Sequence, residues 1–111
     1  MAGGRVEREE GGTEPGLERR TKVVKGTVAR LRLDAVASLG FGVSRTAMAE
    51  EIKRGRVAVN GVRRLDPSFG VKPCDVMTLE GRGNVRLAHV AGETRKGRTL
   101  VHLEREVGEG L

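Results

Sequence analysis

Tryptophan and tyrosine are absent from this 111-residue chain, phenylalanine occurs twice and cysteine once. With so few rings, the core must be filled by Val, Leu, Ile and Ala. The same shortage removes the aromatic platform on which single-stranded nucleic-acid readers stack bases. One cysteine, Cys74, can form no internal disulfide and has no second thiol for a zinc site. A reducing compartment, the cytoplasm, is therefore expected. No apolar run approaches the ~20 residues of a membrane span, and the opening residues lack the apolar stretch of a signal peptide. A membrane partner is not expected. Acidic residues are outnumbered, 15 against 21 Lys and Arg, for a formal net charge of +6. The length admits one domain, and an enzyme with separate cofactor and substrate halves is not expected.

Glycine is plentiful, 17 residues, and much of it punctuates the chain. Residues 1–21 are rich in Gly and charge without an apolar period, and are expected to be a disordered tail. Residues 22–106 are expected to be the domain and 107–111 a short tail. Within this frame TKVVKGTVA (residues 21–29) has the β-branched content of a strand. RLRLDAVASL (30–39) places Leu33, Val36 and Ala37 on one helical face, with Gly40 and Gly42 expected to break it. Ser44 is a good N-cap for a second helix that Gly55 would stop. Val57 and Val59 alternate in a strand that enters Asn60-Gly61, a strong hairpin signal because both residues tolerate positive φ. DPSFGVKPCD (66–75) is turn-rich. VMTLEG (76–81), NVRLAHVAG (84–92) and RTLVHLERE (98–106) read as strands. In the second of these, Val85, Leu87 and His89 are expected on the apolar face. Helix, helix, then antiparallel strands make a small α+β domain.

The basic residues are concentrated. Arg45, Lys53, Arg54, Arg56, Arg63 and Arg64 stand against only Glu50 and Glu51 over residues 45–64. Such clustering makes a local positive field that attracts phosphate. On the second helix Met48 and Ile52 share an apolar face, while Arg45, Ala49 and Lys53 fall at i, i+4 and i+8 on a neighbouring one. Two cations flanking a small residue leave room for a phosphate backbone, although an ordinary helix with solvated charges has the same pattern. The turn Arg95-Lys96-Gly97-Arg98 is a second basic cluster. His89, His102 and Cys74 are the remaining chemical candidates. None has a base or ligand cluster near it in sequence. No catalytic residue, metal site or cofactor is expected.

The segment RLDAVASLGFGVSRTAMAEEIKRGRVAVNG, followed by VKPCDVMTLEG, resembles an S4 RNA-binding domain, the alpha-L RNA-binding motif. Arg32-Leu33-Asp34, Ser44-Arg45, Ile52 with Gly55-Arg56-Val57, Val59-Asn60-Gly61 and Val71-Lys72-Pro73 with Asp75-Val76 carry the likeness. LRLDAVASLGFG, GRGNVRL and GETRKGR further resemble the C-terminal region of the YlmH-like proteins, also called photosystem II S4 domain proteins. Members of that family carry a region before the RNA-binding domain, so a truncated or stand-alone version is expected here. The family usually has Gly where Cys74 stands, and often Lys or Ser-Lys where this chain has Thr46-Ala47.

The resemblance implies an alpha-L fold, with two short helices packed on a small bent antiparallel sheet. It also implies an RNA surface made of Arg32, Ser44, Arg45, Ala49, Lys53, Arg56, Asn60 and Gly61, with Lys72 beside it. Arg95, Lys96 and Arg98 are expected as a second contact, and Asp34 as a structural partner of a nearby Arg. Few aromatics point to structured RNA, ribosomal or transfer, held through phosphate and shape. The implied role is that of a monomeric, non-enzymatic module on the large ribosomal subunit, serving translation or ribosome-associated quality control. A detached targeting domain of an RNA-modification enzyme, or a photosynthesis-related accessory protein, are the other readings.

Overall fold

The computed structural model describes residues 20–107. The tails expected at 1–21 and 107–111 lie outside the described residues, except for Arg20, Thr21 and Val107, which are in strands. The elements run β1 (Arg20–Val28), α1 (Leu33–Phe41), α2 (Arg45–Lys53), β2 (Val57–Val59), β3 (Val62–Arg63), β4 (Val76–Leu79), β5 (Gly83–Glu93) and β6 (Thr99–Val107). The strands form one antiparallel sheet in the order β1-β6-β5-β4-β2-β3. Helix α1 packs on its inner face and α2 packs against α1. Leu33, Val36 and Phe41 of α1, Met48 and Ile52 of α2, and Val57, Met77, Val85, Leu87, Val101 and Leu103 of the sheet are all buried together. This is the expected α+β architecture. No described helix is long and apolar enough to cross a membrane.

Helix α1 departs from its expected bounds at both ends. It begins at Leu33 rather than Arg30, because Arg32 is extended (φ −93°, ψ 147°) and bridges to Gly70. The orphan N–H groups of its first turn are met by the 66–70 loop: Leu33 N donates to Phe69 O at 2.8 Å and Asp34 N to Pro67 O at 3.0 Å. At the other end, Gly40 continues the helix. A methyl on Gly40 would lie 2.6 Å from Val85 Cγ1. The residue thus permits α1 to lie close on β5, where a side chain would hold the helix off. The helix ends instead at Gly42, which adopts a left-handed φ of 72°.

Helix α2 follows its sequence signals. Ser44 Oγ accepts from Ala47 N at 3.0 Å, the N-cap expected of it. At the far end Gly55 N donates to Ile52 O and Arg56 N to Glu51 O, both at 3.0 Å, with Gly55 at φ 80°. This paired arrangement closes the helix and turns the chain into β2. Asn60 (φ 51°) and Gly61 (φ 82°) form the tight turn between β2 and β3.

Strand β5 corrects one expectation. Its pairing with β6 shifts between Leu87 and His89, so that Leu87 faces Leu103 but His89 faces His102. Ala88 is the extra residue of a bulge, and beyond it the faces exchange. His89 is exposed, and Val90 packs against the core in its place.

Cys74 carries backbone strain. Its φ is 78°, in the left-handed region, and its N–H donates to Leu87 O at 2.7 Å. A side chain costs about 1–2 kcal/mol in that region, partly offset because glycine gains freedom in the unfolded chain. Cys74→Gly is expected to raise the melting temperature by a few degrees, and Cys74→Ala is not. Equal melting temperatures for the two variants would contradict the assignment of strain to this residue.

Candidate nucleic-acid interface

The exposed side of α2 places the cations as its spacing implies. Met48 and Ile52 are fully buried, so Arg45 and Lys53 are turned outward with the half-buried Ala49 between them. Eight residues of helix separate the two cations by about 12 Å along the axis. Lys53 has no ion-pair partner among the described residues.

Arg45 is held differently. Asp34 is nearly buried at 5% exposure. It accepts from Arg32 Nε at Oδ1 and from Arg32 Nη2 at Oδ2, each at 3.1 Å. Arg45 Nε lies 3.5 Å from Asp34 Oδ2. One carboxylate therefore orients two arginines, and the trio keeps a positive charge. Fixing a long side chain in advance lowers the entropy lost when it meets a ligand. Asp34 has the structural role expected of it, and it joins the start of α1 to the start of α2.

The hairpin is anchored by a second buried carboxylate. Asp75, 8% exposed, accepts from Asn60 Nδ2 at Oδ1 and from Lys72 N at Oδ2, both at 2.9 Å. Asn60 Oδ1 in turn accepts from Val76 N at 2.9 Å. The Asn60 amide is thus engaged at both ends by the chain across from it. Its role is to set the shape of the turn and the position of the exposed Gly61 backbone. The Lys72 backbone is tied down by the same clamp, while its side chain is exposed.

Further cations gather around these two anchors. Arg56 is exposed and pairs with Glu51 at 3.3 Å, which offsets part of its charge. Arg63, named in the basic window but not in the expected RNA surface, sits against the end of α2: a methyl on Gly55 would lie 3.3 Å from its Cδ. The Arg64 guanidinium stacks on the Phe69 ring at 4.4 Å, a cation–π contact that holds the 66–70 loop against the hairpin. Asp66 in that loop accepts from the Ser68 hydroxyl at 2.8 Å and from Ser68 N at 2.9 Å. Chiefly the hydroxyl bond, then the backbone bond, lower its carboxyl below the usual carboxylate range. The loop geometry they support is therefore present at neutral pH and weakens as pH falls through the lowered value.

The basic turn after β5 divides into two parts. Arg95 and Lys96 are exposed at its tip. Arg98 instead reaches back to β1, donating from Nε to Thr27 Oγ1 and from Nη2 to Thr27 O, both at 3.0 Å. This brings Arg98 to the same cleft as Arg45. Arg105 also approaches from β6, with Nη1 3.9 Å from where a methyl on Gly42 would stand. In sequence the only sign of Arg105 is a charged residue continuing the inner-face alternation of Val101 and Leu103. On the outer face His89 and His102 lie 5.6 Å apart between ring centroids. Among the described residues, no group of three or more His, Cys, Asp or Glu could hold a metal ion.

Comparison with known proteins bears on this surface. Residues 31–77 match the family model of the S4 domain. Those residues contain both helices, the Asn60-Gly61 hairpin and the two carboxylate clamps. The ribosome-associated protein quality control protein P2 of Bacillus subtilis is 36% identical over 80 residues, covering 72% of this chain and 31% of that protein. The small ribosomal subunit protein uS4 of Azoarcus sp. is 35% identical over 85 residues, covering 72% of this chain and 41% of the relative. Its counterpart from Thermus thermophilus is 40% identical over 72 residues, covering 62% and 34%. The chain thus spans well under half the length of each of these relatives.

Proposed function

We propose that this chain, whose residues 31–77 are an S4 domain, binds structured ribosomal or transfer RNA on the ribosome and performs no catalytic step. The observation that carries the reading is the cationic face of α2, with Arg45 set by a buried carboxylate and Lys53 unpaired among the described residues. Phosphate is the matching ligand. Arg32 and the Asn60-Gly61 hairpin fix the orientation of the bound backbone, and Arg95 and Lys96 add charge at a second point. Contacts of this kind position RNA by its backbone and shape.

The large ribosomal subunit is the proposed site, in the service of translation or quality control. A relative's name, ribosome-associated protein quality control protein P2, supports the second part of that reading. The small subunit is the competing site, favoured by the name of the uS4 relatives. Co-sedimentation of the full chain with separated subunits at physiological salt decides between them. The expected result is retention with the large subunit, weakened about tenfold when Arg95, Lys96 and Arg98 are all changed to Gln. Retention with the small subunit alone would move the site. Retention with neither would overturn ribosome association.

A further inference from the structure

A cleft of about 360 Å³ opens between the end of β1, the C-terminal half of α1 and the turn that leads into α2. Its lining mixes apolar Val28, Leu39 and Val43 with Thr27, Ser38 and the side chains of Arg45 and Arg98. Among the described residues lining it none is acidic. Asp34 touches Arg45 at 3.5 Å but is not part of the lining. The two arginines come from the first turn of α2 and the turn before β6 and are independently fixed, Arg45 by Asp34 and Arg98 by two hydrogen bonds to Thr27. Arg105 stands beside Gly42, one of the lining residues, without lining the cleft itself.

We propose that this cleft takes a single extruded RNA nucleotide, its base against Val28, Leu39, Val43 and the plane of Arg98, and its phosphate on the free donors of Arg45 and Arg98. The inference rests on the RNA-binding reading and adds a subsite to it. Three physical points carry it. The volume lies at the low end of small-molecule pockets, roughly 300–1,000 Å³, which suits one nucleoside and excludes a duplex. Apolar lining residues beside a few fixed polar groups are the ordinary makeup of a ligand site. And a guanidinium offers a flat face for a base as well as donors for a phosphate. Arg98 spends two of its five donors on Thr27 and keeps three. In a chain without Trp or Tyr, arginine planes thus take over the stacking that aromatic side chains supply elsewhere.

The test uses two fluorescent RNA hairpins, alike except that one carries a single-nucleotide bulge. Affinity of the full chain for each is measured by anisotropy at one salt concentration. The wild type is expected to prefer the bulged hairpin by about tenfold. Ala29 is exposed at the cleft's edge and outside the core, so Ala29→Leu fills the cleft without disturbing the fold. It should abolish the preference and leave affinity for the paired hairpin within twofold. Arg98→Lys, which keeps the charge but not the plane, should also reduce the preference. Equal wild-type affinity for both hairpins, or a preference that survives Ala29→Leu, would overturn the subsite while leaving RNA binding in place. Failure of the wild type to bind either hairpin would overturn the RNA-binding reading itself, and the subsite with it.

Discussion

Asp75→Ala is expected to destabilise the domain by about 3 kcal/mol, because it strands two donors at once. The carboxylate is 8% exposed and accepts from Asn60 Nδ2 and Lys72 N, both at 2.9 Å. Hydrogen bonds to a charged group contribute roughly 1.5–3 kcal/mol each, and the freed donors belong to the exposed residues Asn60 and Lys72, which water partly satisfies. For a domain of this size that loss lowers the melting temperature by more than about 10 °C. Asp75→Asn keeps one carbonyl acceptor and should lose about half as much. Asn60→Ala removes the other side of the clamp, so the double variant should be far less destabilised than the sum of the singles. The control is Asp66→Ala, whose exposed carboxylate accepts hydrogen bonds from Ser68 alone among the described residues. If thermal melts show Asp75→Ala costing no more than Asp66→Ala, the clamp does not hold the hairpin.

That clamp also shows what the sequence disclosed and what it withheld. The turn at Asn60-Gly61 was readable, because its signal is two adjacent residues that tolerate positive φ. The partner of Asn60 was not, since Asp75 is brought to it by the pairing of β2 with β4. The amide therefore looked available for RNA when it is committed to the fold. Helix α2 was readable from end to end for the same local reason, with Ser44, the Met48/Ile52 stripe and Gly55 all within one element. The Arg32–Asp34 pair, two positions apart, was likewise within reach.

Long-range approach defeated the local rules elsewhere. Gly40 reads as a helix breaker in isolation, yet the closeness of Val85, far along the chain, makes it part of the helix. The bulge at Ala88 inverts the alternation of β5, and a two-residue period contains no warning of it. Arg98 looked like the third cation of a hairpin tip. Its bonds to Thr27 instead carry it to the cleft shared with Arg45. The resemblance to the S4 domain supplied the order of elements, and residues 31–77 match that family's model. It did not supply these side-chain destinations, which depend on β1, β5 and β6 outside the matched segment.

The second large effect is expected in binding. Arg45→Gln with Lys53→Gln removes both outward cations of α2, while the buried Met48/Ile52 face is untouched. Each solvent-exposed phosphate contact is expected to contribute on the order of 1 kcal/mol, so affinity for structured RNA should fall roughly 30-fold. The fold should persist, with a melting temperature near that of the wild type. Arg45 loses only a 3.5 Å contact to Asp34, and the Arg32 pair continues to satisfy that carboxylate. A large drop in melting temperature with unchanged affinity would place these side chains in the structure instead of the interface.

The central claim is that α2 presents a phosphate-binding face, and its most direct test is the salt dependence of RNA affinity for the wild type and this double variant. If the wild type neutralises about four to six phosphates, log K falls against log salt with a slope of roughly −3 to −5. Loss of Arg45 and Lys53 should make that slope shallower by about two. A wild-type slope near zero, or the same slope in both proteins, would contradict the account.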